Sequence, residues 1–285
     1  MSGNAHVPYL LASLYTLRKH YHGDVWVYAW EESYPMVKAM SEDPRLAFTA
    51  QLREPDYRGK NAQFLDKIKL VSGLCGKVDI ALYLDADTTI HGSLTPLFEQ
   101  ASIYGFCATQ FCDWTVRGSI PRKRIKSLME FPSIDRQVIR HTLACRFPSL
   151  NGGVWAAEPS SPVLPQWHKW TWEARKTFIA DEKVLHLMPV MFPEQMTVML
   201  GGAFNCSPMQ KFQPDTLYDD QVVVRHYHGD SNVRLNKCQR GIDMWWPIYL
   251  KCLTENIGGV LGWKNSIENN HLKALEKSCH GTYKI

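Results

Sequence analysis

The stretch ALYLDADTTIHGSL, residues 81–94, decides how this chain reads. A mostly apolar run passes directly into Asp85-Ala86-Asp87, two carboxylates one residue apart at the end of what reads as a buried strand, VDIALYL (78–84). Charge is expensive to place there unless something compensates it. Around this stretch, segments of helical spacing alternate with short apolar runs. VPYLLASLYTLRKHY (7–21) carries Leu10, Leu11, Leu14 and Leu17 at helical intervals. DVWVYAW (24–30) and RLAFTAQL (45–52) read as strands, and AQFLDKIKLVSGL (62–74) as an amphipathic helix. SLTPLFEQ (93–100) reads as a short helix with a serine N-cap, and IYGFCATQ (103–110) as the next strand. This alternation through short connections predicts a doubly wound α/β unit, in which ligands sit beyond the carboxyl ends of the strands. Asp85 and Asp87 fall at one of those ends.

The second half is less regular. NGGVWAAE (151–158) reads as a strand entered through two glycines, PEQMTVML (193–200) as a short helix, and DQVVVRHYHG (220–229) as a strand ending in a loop. GIDMWWPIYLKCL (241–253) reads as a helix with an internal proline, and no repeat or low-complexity tract is present.

The length of 285 residues suits one large α/β domain or two small ones, and 45% hydrophobic with 21% charged residues is an ordinary globular composition. No segment approaches 18 consecutive apolar residues, so no membrane span is expected. No basic patch followed by an apolar run marks a signal peptide. Eight cysteines (75, 107, 112, 145, 206, 238, 252 and 279) scatter without a C-x-x-C pair. That argues against zinc spacing and a disulfide framework, and for free thiols in a reducing cytoplasmic setting. The net charge of +4 hides an asymmetry, because residues 117–146 hold eight bases against two acids. This stretch reads as a solvated helical face or as the footprint of an anionic partner.

The paired aspartates admit several readings. Structurally, Asp85 caps a turn and Asp87 caps the next helix. A glycosidase reading needs carboxylates flanking a sugar about 5 to 9 Å apart, whereas residues two apart, turning out of one strand, sit on the same side of whatever binds. Same-side carboxylates suit a hard divalent cation, which would hold phosphate oxygens and neutralise a leaving diphosphate. The run VVVRHYHGDSNVR (222–234) offers His226 and His228 after an apolar segment, as packed rings or as ligands. Two carboxylates and an imidazole favour Mn²⁺, with Mg²⁺ tolerated.

Four blocks in order give this constellation a resemblance to glycosyltransferase family 8, the glycogenin and bacterial galactosyltransferase relatives. They are LYLDADTTI, Lys69-Leu70 sixteen residues before Asp85, NGGVW at 151–155, and HYHG at 226–229, with Glu194-Gln195 between the last two. The resemblance implies a GT-A type α/β fold, a Rossmann-like mixed central sheet with flanking helices. It also implies a metal-dependent, retaining glycosyltransferase that moves a sugar from a nucleotide-sugar, UDP-linked in the family, to an acceptor hydroxyl. By residue, it implies Asp85, Asp87 and His226 as ligands of Mn²⁺ or Mg²⁺. Lys69, Ala86, Gly152, His228, Gly229 and Arg234 would line the donor. Asn151, Glu194 and Gln195 would stand at the reacting carbon. Each has a plainer reading: Lys69 as a solvated helix residue, Asn151 as a turn former, Glu194 as an acid at a helix start. Trp155, Trp167, Trp170, Trp172, Trp245 and Trp246 read mainly as core, with stacking on sugar faces as the alternative.

The implied organisation is one transferase domain over 1–255 with a basic insertion at 114–147, followed by a helical tail over 256–285. Only six residues precede Val7, so the family's first strand is expected to be shortened or absent. Asn232 stands where the family has a lysine, with Arg234 or His228 as the replacement. Arg225, Arg234, Lys237 and Arg240 join the 117–146 stretch in suggesting a glycan or other hydroxyl acceptor that is anionic. Two alternatives stay open: transfer to modified bases of DNA, and a non-catalytic nucleotide- or sugar-binding protein of the same fold.

Overall fold

Helix and strand alternate as expected in the computed structural model, which describes residues 4–56, 62–114, 120–209, 212, 217–227 and 238–264. His228, Gly229 and Arg234 lie outside the described residues, as does the tail beyond residue 264. In chain order the first elements are α1 (Val7–Leu17), β1 (Trp26–Ala29), α2 (Tyr34–Met40), β2 (Thr49–Leu52), α3 (Gln63–Ser72), β3 (Ala81–Leu84) and β4 (Thr88–Ile90). Next come α4 (Thr95–Tyr104), β5 (Phe106–Cys112), α5 (Ile120–Lys126), α6 (Arg136–Cys145), β6 (Ser149–Ala157) and α7 (Val163–Glu173). After them lie α8 (Ala180–Leu185), α9 (Met188–Met191), β7 (Thr197–Met199), β8 (Val224–His226), α10 (Gln239–Thr254) and α11 (Val260–Trp263). Two compact units interleave along the chain. The first holds Met1–Glu54, Ala86–His91 and His226–Ile285, and the second holds Pro55–Asp85 and Gly92–Arg225.

In the first unit α1 is apolar on almost every side, and such a helix is stable only when buried. It packs on α10, where Tyr9 meets Trp245 at 4.8 Å and Trp245 stacks on Tyr249 at 4.9 Å. As expected, α10 contains a proline, Pro247. β1 and β2 pair in parallel, from Trp26 opposite Thr49 to Ala29 opposite Leu52. The polar residues on α1 have a purpose. Ser13 Oγ lies 3.2 Å from Thr88 Oγ1. Thr16 Oγ1 accepts the Ile90 N–H at 3.0 Å while donating to the Ala12 carbonyl. These bonds fasten β4, the strand that follows Asp87, so Asp87 does not cap a helix.

The second unit holds a four-stranded mixed sheet in the order β3-β6-β5-β7. β6 runs antiparallel to both its neighbours, and β7 is parallel to β5. Both central strands are buried along their whole length, as strands covered on both faces are, and the polar side chains they carry, such as Thr109 and Asn151, are hydrogen-bonded. Trp155 stacks between Tyr83 at 5.3 Å and Phe106 at 5.4 Å, with Trp167 edge-on at 5.1 Å. The core reading therefore holds for Trp155, Trp167, Trp170, Trp245 and Trp246, while Trp172 is exposed. This is the α/β, mixed-sheet class expected from the sequence.

Two local expectations fail. PEQMTVML is not a helix: Pro193–Gln195 form a turn, and Thr197–Met199 form β7 because pairing with β5 overrides a weak helical pattern. Ser93 is not the N-cap of α4, a position taken by Leu94; Ser93 Oγ instead accepts the Thr95 N–H at 3.2 Å. The basic stretch is helical as expected, and Asp135 caps α6 by accepting the Gln137 N–H at 2.7 Å. Among the described residues no helix is long and apolar enough to cross a membrane, and the seven described cysteines are free.

Candidate active site

The site grows out of the end of β3. Its ladder with β6 runs from Ala81 opposite Ala157 to Leu84 opposite Val154, and Asp85 N–H extends it by donating to the Gly153 carbonyl at 2.7 Å. Tyr83 Oη donates to Asp85 Oδ1 at 2.8 Å, holding that carboxylate over the strand end. Two residues on, the Asp87 carbonyl accepts the Tyr227 N–H at 2.9 Å, which brings β8 alongside. His226, the buried last residue of β8, sets Nε2 3.2 Å from Asp87 Oδ1. Asp85, Asp87 and His226 each offer a ligand atom within 4.8 Å of the others. The set is chemically apt for Mn²⁺ or Mg²⁺, with two hard oxygen donors and one imidazole nitrogen. Burial alone pushes the Asp87 carboxyl up, but the facing His226 outweighs it and holds Asp87 below its ordinary range, in the ionised form a cation needs. Ala86 is partly buried against the core of the first unit.

On the other edge of β6, the sheet breaks register. Ala108 faces Trp155 but Thr109 faces Asn151, so Gly152, Gly153 and Val154 bulge away from β5. Bulges re-aim side chains, and this one turns Asn151 into a locked junction. Its side-chain Oδ1 accepts from Gly153 N–H at 2.8 Å and from Asn205 Nδ2 at 3.2 Å. Its Nδ2 donates to Glu182 Oε1 at 2.5 Å. Glu182 Oε2 in turn accepts from Arg124 of α5 at 2.9 Å, so both of its oxygens are engaged. Behind it, buried His186 donates from Nδ1 to the Glu182 carbonyl and accepts the Leu150 N–H on Nε2 at 3.1 Å. That pattern fixes the neutral tautomer. Burial first, and Arg124 second, push its pKa down to about 4.

Gly152 lies over a buried ion pair between Lys67 of α3 and Asp181 of α8. Lys67 Nζ also donates to the Gly152 carbonyl at 2.9 Å. A Cβ on Gly152 would stand 2.6 Å from Asp181 Oδ2 and 2.8 Å from Lys67 Nζ, so any larger residue would force the buried pair to shift. Burial alone pushes the Lys67 ammonium down. The Asp181 charge, then those of Asp85 and Glu182, push it back above its ordinary value, and Lys67 stays charged.

The remaining expected residues lie elsewhere. Lys69 sits on the exposed side of α3 and pairs with Asp56 at 2.6 Å. Glu194 and Gln195 are exposed in the turn before β7. The Gln195 carbonyl is close to Gly105, whereas Asn151 faces Thr109, four residues further along β5 and about 13 Å away at 3.3 Å per residue. The carboxylate that meets Asn151 is Glu182. Lys67, Asp181 and Glu182 were not singled out from the sequence, although a signal was present. Lys67 lies four residues before buried Val71, and Asp181 three before buried Val184, so each charge falls on the apolar face of its helix.

No protein-family model matches the sequence, and no curated protein matches it. Solved structures do. The galactosyltransferase LgtC, in complex with donor and acceptor sugar analogues, is 16% identical over 94% of this chain and 98% of its own, with a TM-score of 0.59. Mouse xyloside xylosyltransferase 1, in its apo form, is 12% identical over 80% of this chain and 93% of its own, with a TM-score of 0.56. The bifunctional glycosyltransferase WbbM is 12% identical over 81% of this chain and 45% of its own, with a TM-score of 0.54. At these identities the likeness is one of backbone: this chain has the glycosyltransferase fold of GT-A type that its own sequence blocks imply.

Proposed function

We propose that this chain is a metal-dependent retaining glycosyltransferase, moving a sugar from a nucleotide-sugar, UDP-linked, to a hydroxyl of an anionic acceptor. The observation that carries the reading is the Asp85, Asp87 and His226 group at the strand end of a sugar-transferase fold. Asp85, Asp87 and His226 would hold a Mn²⁺ or Mg²⁺, which would supply positive charge for the oxygens of the departing diphosphate. The sugar lies against the wall made by Asn151, Gly152 and Glu182. The carbon–oxygen bond to the diphosphate breaks, the bond to the acceptor oxygen forms on the same face, and the acceptor proton passes to a leaving phosphate oxygen.

The chain's own groups position and stabilise. Glu182, pinned by Asn151 and Arg124, faces the sugar with negative charge as positive charge develops there, a role of pre-set electrostatics rather than attack. In this proposal Glu182 and Asp181 take the place expected of Glu194 and Gln195, and buried Lys67 takes that of Lys69. His228, Gly229 and Arg234 stay assigned to the diphosphate on sequence grounds. The reading sets the enzyme in the cytoplasm, in keeping with seven free cysteines.

Calorimetric titration with UDP, and with GDP and CDP beside it, in Mn²⁺ and then in EDTA tests this. UDP is expected to bind in Mn²⁺ only, and Asp85→Ala or Asp87→Asn to abolish turnover in a chain that still folds. Failure of all three nucleotides to bind in Mn²⁺ would sink the reading.

A further inference from the structure

The basic stretch divides its charges by face. On α5, Arg122 and Lys126 are four residues apart and share a side, whereas Arg124, two positions from each, points away from them. Arg124 is the one turned to an acid, Glu182. The other two line a cleft of about 340 Å³ together with Arg146, Trp114, Leu143 and Ala144. That volume falls near the lower end of small-molecule sites, roughly 300 to 1,000 Å³.

Three cations around one small concavity repel each other, and like charges four residues apart weaken the helix that carries them. Among the described residues none of the three has an acidic partner. Arg146 adds a second oddity. It ends α6 in the left-handed region, at φ 53 and ψ 40, where glycine is the usual residue. Backbone strain of this kind, at a residue whose side chain lines a cleft, is a reason to ask what the cleft binds. The rest of the lining is different in kind: Trp114, Leu143 and Ala144 add an aromatic ring and apolar carbon to the same cleft. Cations and an aromatic ring in one cleft suit a ring that bears an acid group. A larger cavity of about 460 Å³ lies at the far end of β3 from Asp85, between Lys77, Asp79 and Glu158, and its mixed charges select no ligand.

We propose that this cleft is a binding subsite for an anionic saccharide. Arg122, Lys126 and Arg146 hold its phosphate or carboxylate, and Trp114 receives the face of its ring. On the transferase reading, on which only this clause rests, the saccharide is the acceptor. The helix that lines the cleft is then also the helix that, through Arg124, closes the Asn151–Glu182 network. A single concavity fits one charged sugar better than a polynucleotide, which would need a track of phosphate contacts.

The test is calorimetry on the full chain in EDTA without nucleotide, so that no step depends on metal or donor. The probes are glucose 6-phosphate, glucuronate, glucose, inorganic phosphate and a ten-residue oligothymidylate. At least one of the two anionic sugars is expected to saturate the protein, at least tenfold more tightly than glucose or inorganic phosphate. Arg122→Ala/Lys126→Ala should weaken that sugar tenfold or more, and so should Arg146→Gly, which keeps the left-handed backbone. Trp114→Leu should erase the advantage of glucose 6-phosphate over inorganic phosphate. The variants change exposed or partly exposed side chains, and a melting temperature no lower than that of the wild type verifies their fold. Saturation by neither anionic sugar overturns the proposal, as does equal affinity in the wild type and the double variant. Tighter binding of the oligothymidylate, lost in the same variants, overturns it in favour of nucleic acid. UDP binding in Mn²⁺, measured separately, keeps the two readings apart. If UDP does not bind but the anionic sugar does, the transferase reading falls and the subsite stands.

Discussion

Asp85 and Asp87 are two residues apart, yet the chain surrounds them differently. Asp87 belongs to the first unit, where an apolar helix packs on aromatic rings and two hydroxyls fasten the strand that follows. Asp85 follows a strand of the second unit, where the Tyr83 hydroxyl and the Gly153 carbonyl hold it, and its charge is felt by the buried Lys67–Asp181 ion pair. Neutral hydrogen bonds contribute about 1 kcal/mol each and can be lost one at a time. A buried ion pair behaves differently, because removing one partner strands the other. The same motif is therefore tolerant of change on one side and brittle on the other.

The sharpest way to break this contrast is Lys67→Met. It leaves the fully buried Asp181 carboxylate without its cation, and a loss of about 3–5 kcal/mol in urea unfolding is expected. Lys67→Met/Asp181→Leu should return most of that stability, since two apolar groups leave no stranded charge. If the single variant lost less than about 1 kcal/mol, the pair would not be the coupled unit described here.

His186 gives the next largest effect, and its sign follows from burial. Its pKa in the fold is about 4, below the ordinary 6.5, so the unfolded chain takes up the proton first as the pH falls. The contribution of His186 to stability is complete above pH 6.5, is lost on the way down to about pH 4, and is level below that. At about 1.4 kcal/mol per pH unit the loss comes to roughly 3 kcal/mol. The stability of the wild type relative to His186→Gln should fall by that amount between the two pH values. A difference that stays constant with pH would mean that the imidazole is not held neutral against Leu150 N–H.

The two regions also differed in how much the sequence revealed. Apolar spacing is a strong signal, and Leu10, Leu11, Leu14 and Leu17 gave the buried helix of the first unit, as VDIALYL gave the strand before Asp85. Which acids and bases meet across a fold is decided by tertiary distance, which no local pattern carries. Lys67 and Lys69 are two residues apart on one helix, and only their angle to Val71 separates the buried one from the solvated one. Glu194-Gln195 and Asp181-Glu182 both lie between the NGGVW and HYHG blocks. The bulge after Asn151 is what selects Glu182, and a bulge is invisible in a run that reads as continuous strand. PEQMTVML failed for the related reason that pairing with β5 outweighs its own preference.

Glycines sharpen the comparison at smaller cost. Gly152→Ala drives a methyl group into the Lys67–Asp181 pair and should destabilise by about 1–3 kcal/mol, read as a lower unfolding midpoint. Gly262 lies in α11 of the first unit, and a Cβ there meets nothing within 4 Å. Gly262→Ala should be neutral or raise stability by up to about 1 kcal/mol, the usual gain of alanine over glycine in a helix. Equal losses at both positions would remove the distinction between a crowded ionic wall and an open helix.

The smallest effect is expected where the first unit fastens β4. Thr16→Val keeps the shape of the side chain but takes the acceptor from the Ile90 N–H, a buried donor. The expected loss is about 1–2 kcal/mol, the price of one unsatisfied group, while Thr16→Ser, which keeps the oxygen, should lose less. Ile90 is three residues beyond Asp87, and the Tyr227 amide binds Asp87 independently. On the proposed metal site, a loosened β4 should therefore cut Mn²⁺ affinity by less than tenfold, a smaller effect than the loss of turnover expected of Asp87→Asn. If Thr16→Val removed Mn²⁺ binding outright at an unchanged fold, this hydroxyl would be setting the position of the ligand itself. The tolerant side of the motif would then be as brittle as the ionic one.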